Sequence, residues 1–401
     1  LGCKVNAYES EFMLEELKRS GYLYDEKNPD IIIINTCSVT NQSDSKSRKI
    51  INQAIRKNPH ACIVAMGCFI EANKDIKIDG VDILIGNKDK SKVVELVEDY
   101  FKTKKQIVNL YQDLGNDFEN MEIKTFEGRT RAFVKIQDGC ENFCSYCIIP
   151  YVRGRVRSKE FNKCIIEVRD LALSGHKEIV LTGIHTGHYM SNNHDLTDLI
   201  NELSKIDDLL RIRISSIEIT ELNDKFLEML KINKKVCNHL HIPLQAGSDE
   251  ILKRMNRKYD LAYYEEKINK IRGIRPDISI TTDIIVGFPY ETDELFSETL
   301  EFSKKMNFSK IHVFPYSIRV GTAAASMPNQ VDEVAKKVRV KKLMALSKKQ
   351  EKEYYEKFKG KELDILVEEC DNNVSIGHTS NYLMVTLNEN LLVGKIYKRI
   401  L

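Results

Sequence analysis

Ten cysteines punctuate this 401-residue chain, and three of them crowd into Asp138-Gly139-Cys140-Glu141-Asn142-Phe143-Cys144-Ser145-Tyr146-Cys147. Thiolate sulfur is the ligand that iron–sulfur clusters use. Three thiolates spaced C-x3-C-x2-C on one loop reach three corners of a four-iron cubane and leave the fourth iron open to a substrate or cofactor. A zinc site would want a fourth protein ligand, usually in C-x2-C pairs; three inert core cysteines are the plainer alternative. A second trio is scattered. Cys37 follows the apolar run Ile31-Ile32-Ile33-Ile34-Asn35, Cys68 follows Ile63-Val64-Ala65-Met66, and Cys3 is expected to follow a strand cut short at Leu1. Ligands in open α/β sheets gather beyond the carboxyl ends of strands, so these thiols are candidates for one shared metal centre, with reduced core thiols as the alternative. Cys62 begins a strand and is expected to point elsewhere; Cys164, Cys237 and Cys370 are expected to serve packing only.

The elements that must position these residues read as α/β throughout. Residues 1–120 alternate short apolar runs, including Val81 to Ile85, with helical patterns over Glu9 to Ser20 and Ser43 to Lys57, which predicts a parallel α/β sandwich. Residues 103–130 are polar and poorly periodic and read as a linker. From 127 to 330 the alternation resumes with six candidate strands, 131–137, 178–183, 211–215, 239–244, 280–286 and 310–315, which is too few for a closed eight-unit barrel and predicts a partial (βα)6 barrel. A third region, 331–401, opens with a Lys/Glu-rich helix over 331–359. Short runs at 363–367, 383–387 and 391–395 follow, with turn signals at Asn372-Asn373, and suggest a small antiparallel β-barrel.

Composition narrows the class. Lys and Arg number 61 and Asp and Glu 59, and 42% of residues are apolar. Global charge therefore says nothing of nucleic acid, and only local clusters bear on it. No apolar run is long enough to span a bilayer and no basic-then-apolar leader opens the chain, so membrane and secreted classes are not expected and a cytoplasmic protein is. Reduced thiols follow from that compartment.

The loop at 140–147 resembles that of the radical S-adenosylmethionine superfamily. The resemblance implies that Cys140, Cys144 and Cys147 carry the catalytic 4Fe-4S cluster. In that superfamily S-adenosylmethionine chelates the open iron and is cleaved to a 5′-deoxyadenosyl radical. It also implies cofactor-binding roles for Tyr146, for Thr182 and Gly183 in Leu181-Thr182-Gly183, and for Ser215, Gln245 and Gly287 at further strand ends. Ser216, Glu218, Ser248 and His185 lie nearby as polar candidates. The whole chain is similar to the methylthiotransferases, through Leu1-Gly2-Cys3-Lys4-Val5-Asn6, Asn35-Thr36-Cys37-Ser38-Val39-Thr40, Met66-Gly67-Cys68, the run Ile148 to Ser158, and Leu244-Gln245-Ala246-Gly247-Ser248. That resemblance implies that Cys3, Cys37 and Cys68 hold a second 4Fe-4S cluster bearing the transferred sulfur. It also implies a C-terminal TRAM-like RNA-binding domain.

The wording Lys4-Val5-Asn6 is similar to the branch that modifies N6-threonylcarbamoyladenosine of tRNA. The isopentenyladenosine branch more often reads Gln-Met-Asn there, and the ribosomal-protein aspartate branch Pro-Lys-Asn. The implied partners are a tRNA anticodon stem-loop, a flavodoxin- or ferredoxin-type one-electron donor, and a sulfide or persulfide source. Two basic clusters are candidates for RNA contact: Arg153, Arg155, Arg157 and Lys159 beside the cysteine loop, and the span 330–361, with eleven Lys and Arg against five Asp and Glu. A non-catalytic iron–sulfur or zinc RNA-binding protein is the reading from another class.

Overall fold

β-branched runs pair in parallel at the start of the chain because both their faces are apolar. The computed structural model describes every residue except 76 and 77. In it β1 (Ile31–Thr36), β2 (Cys62–Gly67), β3 (Ile83–Ile85) and β4 (Ile107–Asn109) form one parallel sheet in that order, with Ile31 opposite Cys62 and Thr36 opposite Gly67. Every residue of β2 is buried. Helix α1 (Lys4–Arg19) buries Tyr8, Phe12 and Met13. Helix α2 (Asn41–Lys57) starts at Thr40, whose hydroxyl accepts from the Ser43 N–H. A five-residue helix, α3 (Cys68–Ala72), follows β2 directly.

Two expectations change here. Helix α1 begins at Lys4, so Cys3 is its extended N-cap residue and Leu1 and Gly2 form no strand. The expected linker contains β4 and is then packed rather than loose: Met121, Ile123 and Phe126 are buried, and the Met121 carbonyl accepts from Tyr8 Oη at 2.6 Å and Lys159 Nζ at 2.6 Å. Its apolar residues follow neither a helical nor a strand period, so local pattern does not reveal that they are inside.

All six expected barrel strands are present: β5 (Arg131–Lys135), β6 (Glu178–Thr182), β7 (Arg211–Ile214), β8 (His239–His241), β9 (Ser279–Val286) and β10 (Lys310–Pro315). They pair in parallel as β7-β6-β5 and β8-β9-β10, joined by a bridge between Ile212 and Val236. β5 and β10 are the two free edges, so the barrel is open between them, and α1 packs along β5. Side chains alternate: Ile179, Leu181 and Ile212 join the core under the helices, while Arg213, His241 and Asp283 face the lumen.

Helix α5 (Glu333–Glu356) runs back to the C-terminal region; α4 (Ile149–Arg153) is the short helix after the cysteine loop. The end of the chain folds as an antiparallel sheet of β11 (Glu362–Asp371), β12 (Val374–Thr379), β13 (Met384–Leu387) and β14 (Ile396–Ile400), ordered β13-β12-β11-β14. Asn372 and Asn373, both at positive φ, make the β11–β12 turn. The strand expected at 391–395 is instead a turn through Gly394 (φ 83°), and pairing resumes at Ile396. This sheet is fastened to the amino ends of the barrel strands. Arg211 donates to the Asp364 carbonyl at 2.6 Å and Arg213 to that of Thr379 at 3.3 Å, while Glu178 holds Arg213 at 2.6 Å.

The N-terminal domain meets the barrel through a buried charge cluster. Glu9 of α1, 1% exposed, accepts from Lys135 of β5 at 2.9 Å, from Arg153 of α4 at 2.9 Å, and from Lys90. Asp138 shares Lys135 at 2.6 Å and Arg153 at 3.1 Å. Burial alone would raise the Glu9 carboxyl, but Arg153, Lys135 and Lys90 hold it well below the usual carboxylate range. Removing one member of a buried cluster leaves charge unpaired and costs about 3–5 kcal/mol. Glu9→Gln should therefore lower the denaturant midpoint of the full chain at pH 7. Because the folded pKa is depressed, the Glu9 contribution is present above the unfolded value of about 4.3 and lost as pH falls through the folded value. The gap between wild type and Glu9→Gln should accordingly shrink on acidification below pH 4, read from midpoints across a pH series.

Candidate active site

The cysteine loop leaves β5 through Gly139. Its φ is 75°, and a Cβ there would lie 1.8 Å from the Arg155 carbonyl oxygen, so no side chain is tolerated. Cys140, Cys144 and Cys147 then border a cavity of about 210 Å³ whose other walls include Tyr146, His185, Ser216, Gln245 and Arg257. The Cys147 N–H donates to the Cys144 carbonyl at 2.9 Å, tightening the turn. Arg257 lies 3.3 Å from Cys144 Sγ and is ion-paired with Glu218. His185 Nδ1 is 3.7 Å from Cys140 Sγ, and Glu221 holds its other nitrogen. Burial pushes the Cys147 thiol up to about 12 and raises Cys144 too, with Arg257 opposing. Burial disfavours charge on His185, yet its hydrogen bonds with Cys140 and Glu221 bring it to about 10.

The expected cofactor residues divide. Tyr146 and Gln245 line the cavity, the latter at positive φ (69°), which turns the chain after β8. Thr182, Gly183, Ser215 and Gly287 are not among its walls. Gly183 packs against Gln137; Ser215 faces the barrel lumen instead; the Gly287 N–H donates to Glu291 at 2.7 Å and its Cα is covered by Lys336. Arg257 and Glu221 were not expected from sequence. Neither stands in a motif, and each reaches the site only because the chain between strands returns over the cysteine loop.

The scattered trio is gathered as well. Gly2 lies on Cys37, a Cβ there being 3.0 Å from Cys37 Cβ. Asn6 accepts from Cys3 Sγ at 3.3 Å and donates to the Thr36 carbonyl at 2.8 Å, binding the start of α1 to the end of β1. Cys68 opens α3, its Sγ 3.4 Å from Asn87 Nδ2, and the positive charge of Arg153 acts on Cys3 and Cys68 alike. Cys62 sits at the far end of β2, buried near Asp82. The link between the two trios is α4, which starts two residues after Cys147: Ile148 and Val152 pack on Cys68, and Asn87 also donates to the Val152 carbonyl at 2.7 Å.

The donor set of each trio is three free thiols, the ligand chemistry that iron–sulfur clusters use.

Two of the expected RNA contacts are corrected. Arg153 is fully buried in the charge cluster with Glu9 and Asp138. Arg157 is 7% exposed and donates to the Arg153 carbonyl at 2.6 Å. Neither can reach a phosphate, and Lys159 is likewise consumed by buried Glu167. Of the three arginines, only Arg155 is exposed. The basic run was visible in sequence; its acidic partners, 144 and 15 residues away from Arg153, were not.

Family comparisons follow the same division of the chain. Residues 134–303 match the radical SAM superfamily model and residues 1–86 match the uncharacterized protein family UPF0004. The fold is also that of the solved radical S-adenosylmethionine methyltransferase TsrM from Kitasatospora setae, at a TM-score of 0.58 and 12% identity over 77% of this chain and 70% of that one. An open parallel barrel with C-x3-C-x2-C after its first strand defines a radical S-adenosylmethionine enzyme. Threonylcarbamoyladenosine tRNA methylthiotransferase MtaB of Bacillus subtilis (strain 168) is 42% identical over 99% of this chain and 91% of its own length. The MtaB of Aquifex aeolicus is 39% identical over 99% and 98%. A tRNA-2-methylthio-N(6)-dimethylallyladenosine synthase of Thermoanaerobacter is 36% identical over 98% and 87%. The chain belongs to the radical S-adenosylmethionine methylthiotransferase family.

Reconstituted without oxygen, the full chain should hold about eight irons, and Cys140→Ala/Cys144→Ala/Cys147→Ala about four. Iron and acid-labile sulfide assays measure this; undiminished iron in the triple variant would remove the ligand assignment.

Proposed function

We propose that this enzyme adds a methylthio group to C2 of N6-threonylcarbamoyladenosine at position 37 of tRNA, beside the anticodon, consuming two molecules of S-adenosylmethionine per product. The observation that carries the reading is the meeting of two cysteine trios from different domains across α3 and α4. One trio alone would suffice to cleave S-adenosylmethionine; a second within reach gives a place for the sulfur. The identity with the MtaB proteins supports the same conclusion.

When bound, the cluster of Cys140, Cys144 and Cys147 supplies the electron that cleaves S-adenosylmethionine, and that of Cys3, Cys37 and Cys68 supplies sulfur. The chain's own residues have more limited tasks. Gln245 and Ser216 present polar groups to the cofactor on the open side of the cavity. Arg257, fixed by Glu218, sets a positive charge against Cys144 Sγ and favours its thiolate over the thiol. His185 and Glu221 hold a proton beside Cys140. Tyr146, Ile149 and Pro243 wall off the cavity and exclude water from the radical step.

The tRNA is gripped outside this cavity. Arg155, the exposed lysines of α5 such as Lys341 and Lys348, and the C-terminal sheet offer phosphate contacts. A flavodoxin- or ferredoxin-type donor supplies electrons, and sulfide or persulfide renews the sulfur. No helix among the described residues is long and apolar enough to cross a membrane, and we place the enzyme in the cytoplasm with its tRNA.

Nucleoside mass spectrometry of tRNA from cells with and without the gene tests the substrate. The expected loss is of 2-methylthio-N6-threonylcarbamoyladenosine alone; loss of the dimethylallyl product, or of a modified ribosomal aspartate, would move the enzyme to another branch. In vitro, Cys3→Ala/Cys37→Ala/Cys68→Ala should lose methylthiolation and retain reductive cleavage of S-adenosylmethionine. Methylthiolation at the wild-type rate by that variant would overturn the sulfur-donor role.

A further inference from the structure

The barrel lumen contains a second cavity, of about 420 Å³, that the cysteine chemistry leaves unused. Closed barrels fill this space with layers of Val, Ile and Leu; here the walls are charged. Arg213, His241, Asp283 and His312 come from β7 to β10, and Lys4 and Arg129 reach in from outside the strands. Tyr382 of the C-terminal sheet adds an aromatic wall, stacked on His239 at 4.7 Å with the Arg213 guanidinium 4.6 Å from its centroid.

Positive charge predominates there. Glu178 matches Arg213 and Glu368 matches Arg131, but neither Lys4 nor Arg129 has an ion-pair partner among the described residues. Asp283, the acid on these walls, lies 3.3 Å from His241. The lumen's titrating groups register this field. Burial would raise the Tyr382 hydroxyl, yet Arg131, Lys4 and Arg213 bring it below its ordinary value. Burial lowers His239, and Arg213, His241 and Lys4 lower it further. His241, Asp283 and His312 have ligand atoms within 4.8 Å of one another and on that ground alone could hold a divalent ion. The surrounding cations disfavour a further cation and favour an anion.

Position says which anion. Lys4 directly follows Cys3, and Ser215, another wall, directly precedes Ser216 of the cavity at Cys140. Walls of the lumen are thus contiguous in sequence with the Cys3 trio and with the cavity at Cys140. It opens between β5 and β10, where His312 and Phe314 are exposed.

We propose that this lumen seats the carboxylate-bearing N6 arm of the target adenosine, with Lys4 as its counter-ion and Arg129 and His312 as accessory contacts, an inference that rests on the tRNA reading above. Lys4 is then a specificity-determining residue. An isoprenoid arm in the same place would bury Lys4 without a counter-charge, and that cost rejects it.

The test uses the full chain, reconstituted with iron and sulfide. Its substrates are anticodon stem-loops carrying either N6-threonylcarbamoyladenosine or the methyl ester of its carboxylate. Wild type should prefer the acid in kcat/KM by about ten- to a hundredfold, the range for a hydrogen bond to a charged group. Lys4→Met should remove most of that preference by slowing the acid and sparing the ester, and Lys4→Arg should restore it. Because Lys4 adjoins Cys3, iron content and S-adenosylmethionine cleavage are measured on each variant. His312→Phe, which touches no cysteine trio, should also narrow the preference. Retention of the full acid-over-ester preference by both Lys4→Met and His312→Phe would overturn the inference and leave the tRNA reading intact. Tight binding of Mn2+ or Zn2+ that His312→Phe abolishes would overturn it in favour of a metal site. Failure of wild type to modify either stem-loop would overturn the tRNA reading itself, and this inference with it.

Discussion

A carboxylate taken out of water must find positive charge or become neutral, and Glu9 finds three cations. Lys90 belongs to its own domain, Lys135 to the first barrel strand, and Arg153 to the helix after the cysteine loop. Each of these would be unpaired if the others moved. The cluster therefore sets one register between the N-terminal sheet and the barrel, and it sits where that register matters. Asn6, one turn before Glu9, ties Cys3 to the end of β1 and also accepts from Arg153 at 3.1 Å. Asp138 lies two residues before Cys140. A single buried salt-bridge cluster thereby fixes the separation of the two cysteine trios, which a flexible linker between domains would leave free to vary.

The same economy appears at the other end of the barrel. Arg211 and Arg213 begin β7 with side chains turned inward, and Glu178 neutralises them from β6. Their remaining donors are satisfied by carbonyls of the C-terminal sheet. That sheet is consequently part of the barrel's polar interior. Its Tyr382, held at positive φ (67°) between two histidines, is a wall of the lumen. An open barrel with a polar lumen is costly to build, since each charge inside demands a partner. It leaves room that a packed barrel lacks.

Much of this was legible in the chain. Six apolar strands separated by helical patterns define the barrel, because strand periodicity is a local property and burial selects for it. Cys140, Cys144 and Cys147 are close in sequence, so their shared cavity needs only one loop, and Gly139 is the glycine that such a turn requires. Asn372 and Asn373 announce their hairpin in the same way. Matters decided by distant contacts were not legible. Arg153 and Arg157 read as a basic surface because charge is visible in sequence and its burial is not; the acids that consume them come from α1 and from the far side of the cysteine loop. Met121, Ile123 and Phe126 read as linker because their packing has no period. Lys4 looks like an ordinary exposed lysine, and it stays exposed, but the fold sets it on a wall of the lumen. Local spacing and periodicity determine elements and short motifs, since those depend on neighbours along the chain. Which charges meet, and what lies between the two cysteine groups, depends on residues brought together only when the domains dock, and only the tertiary structure decides it.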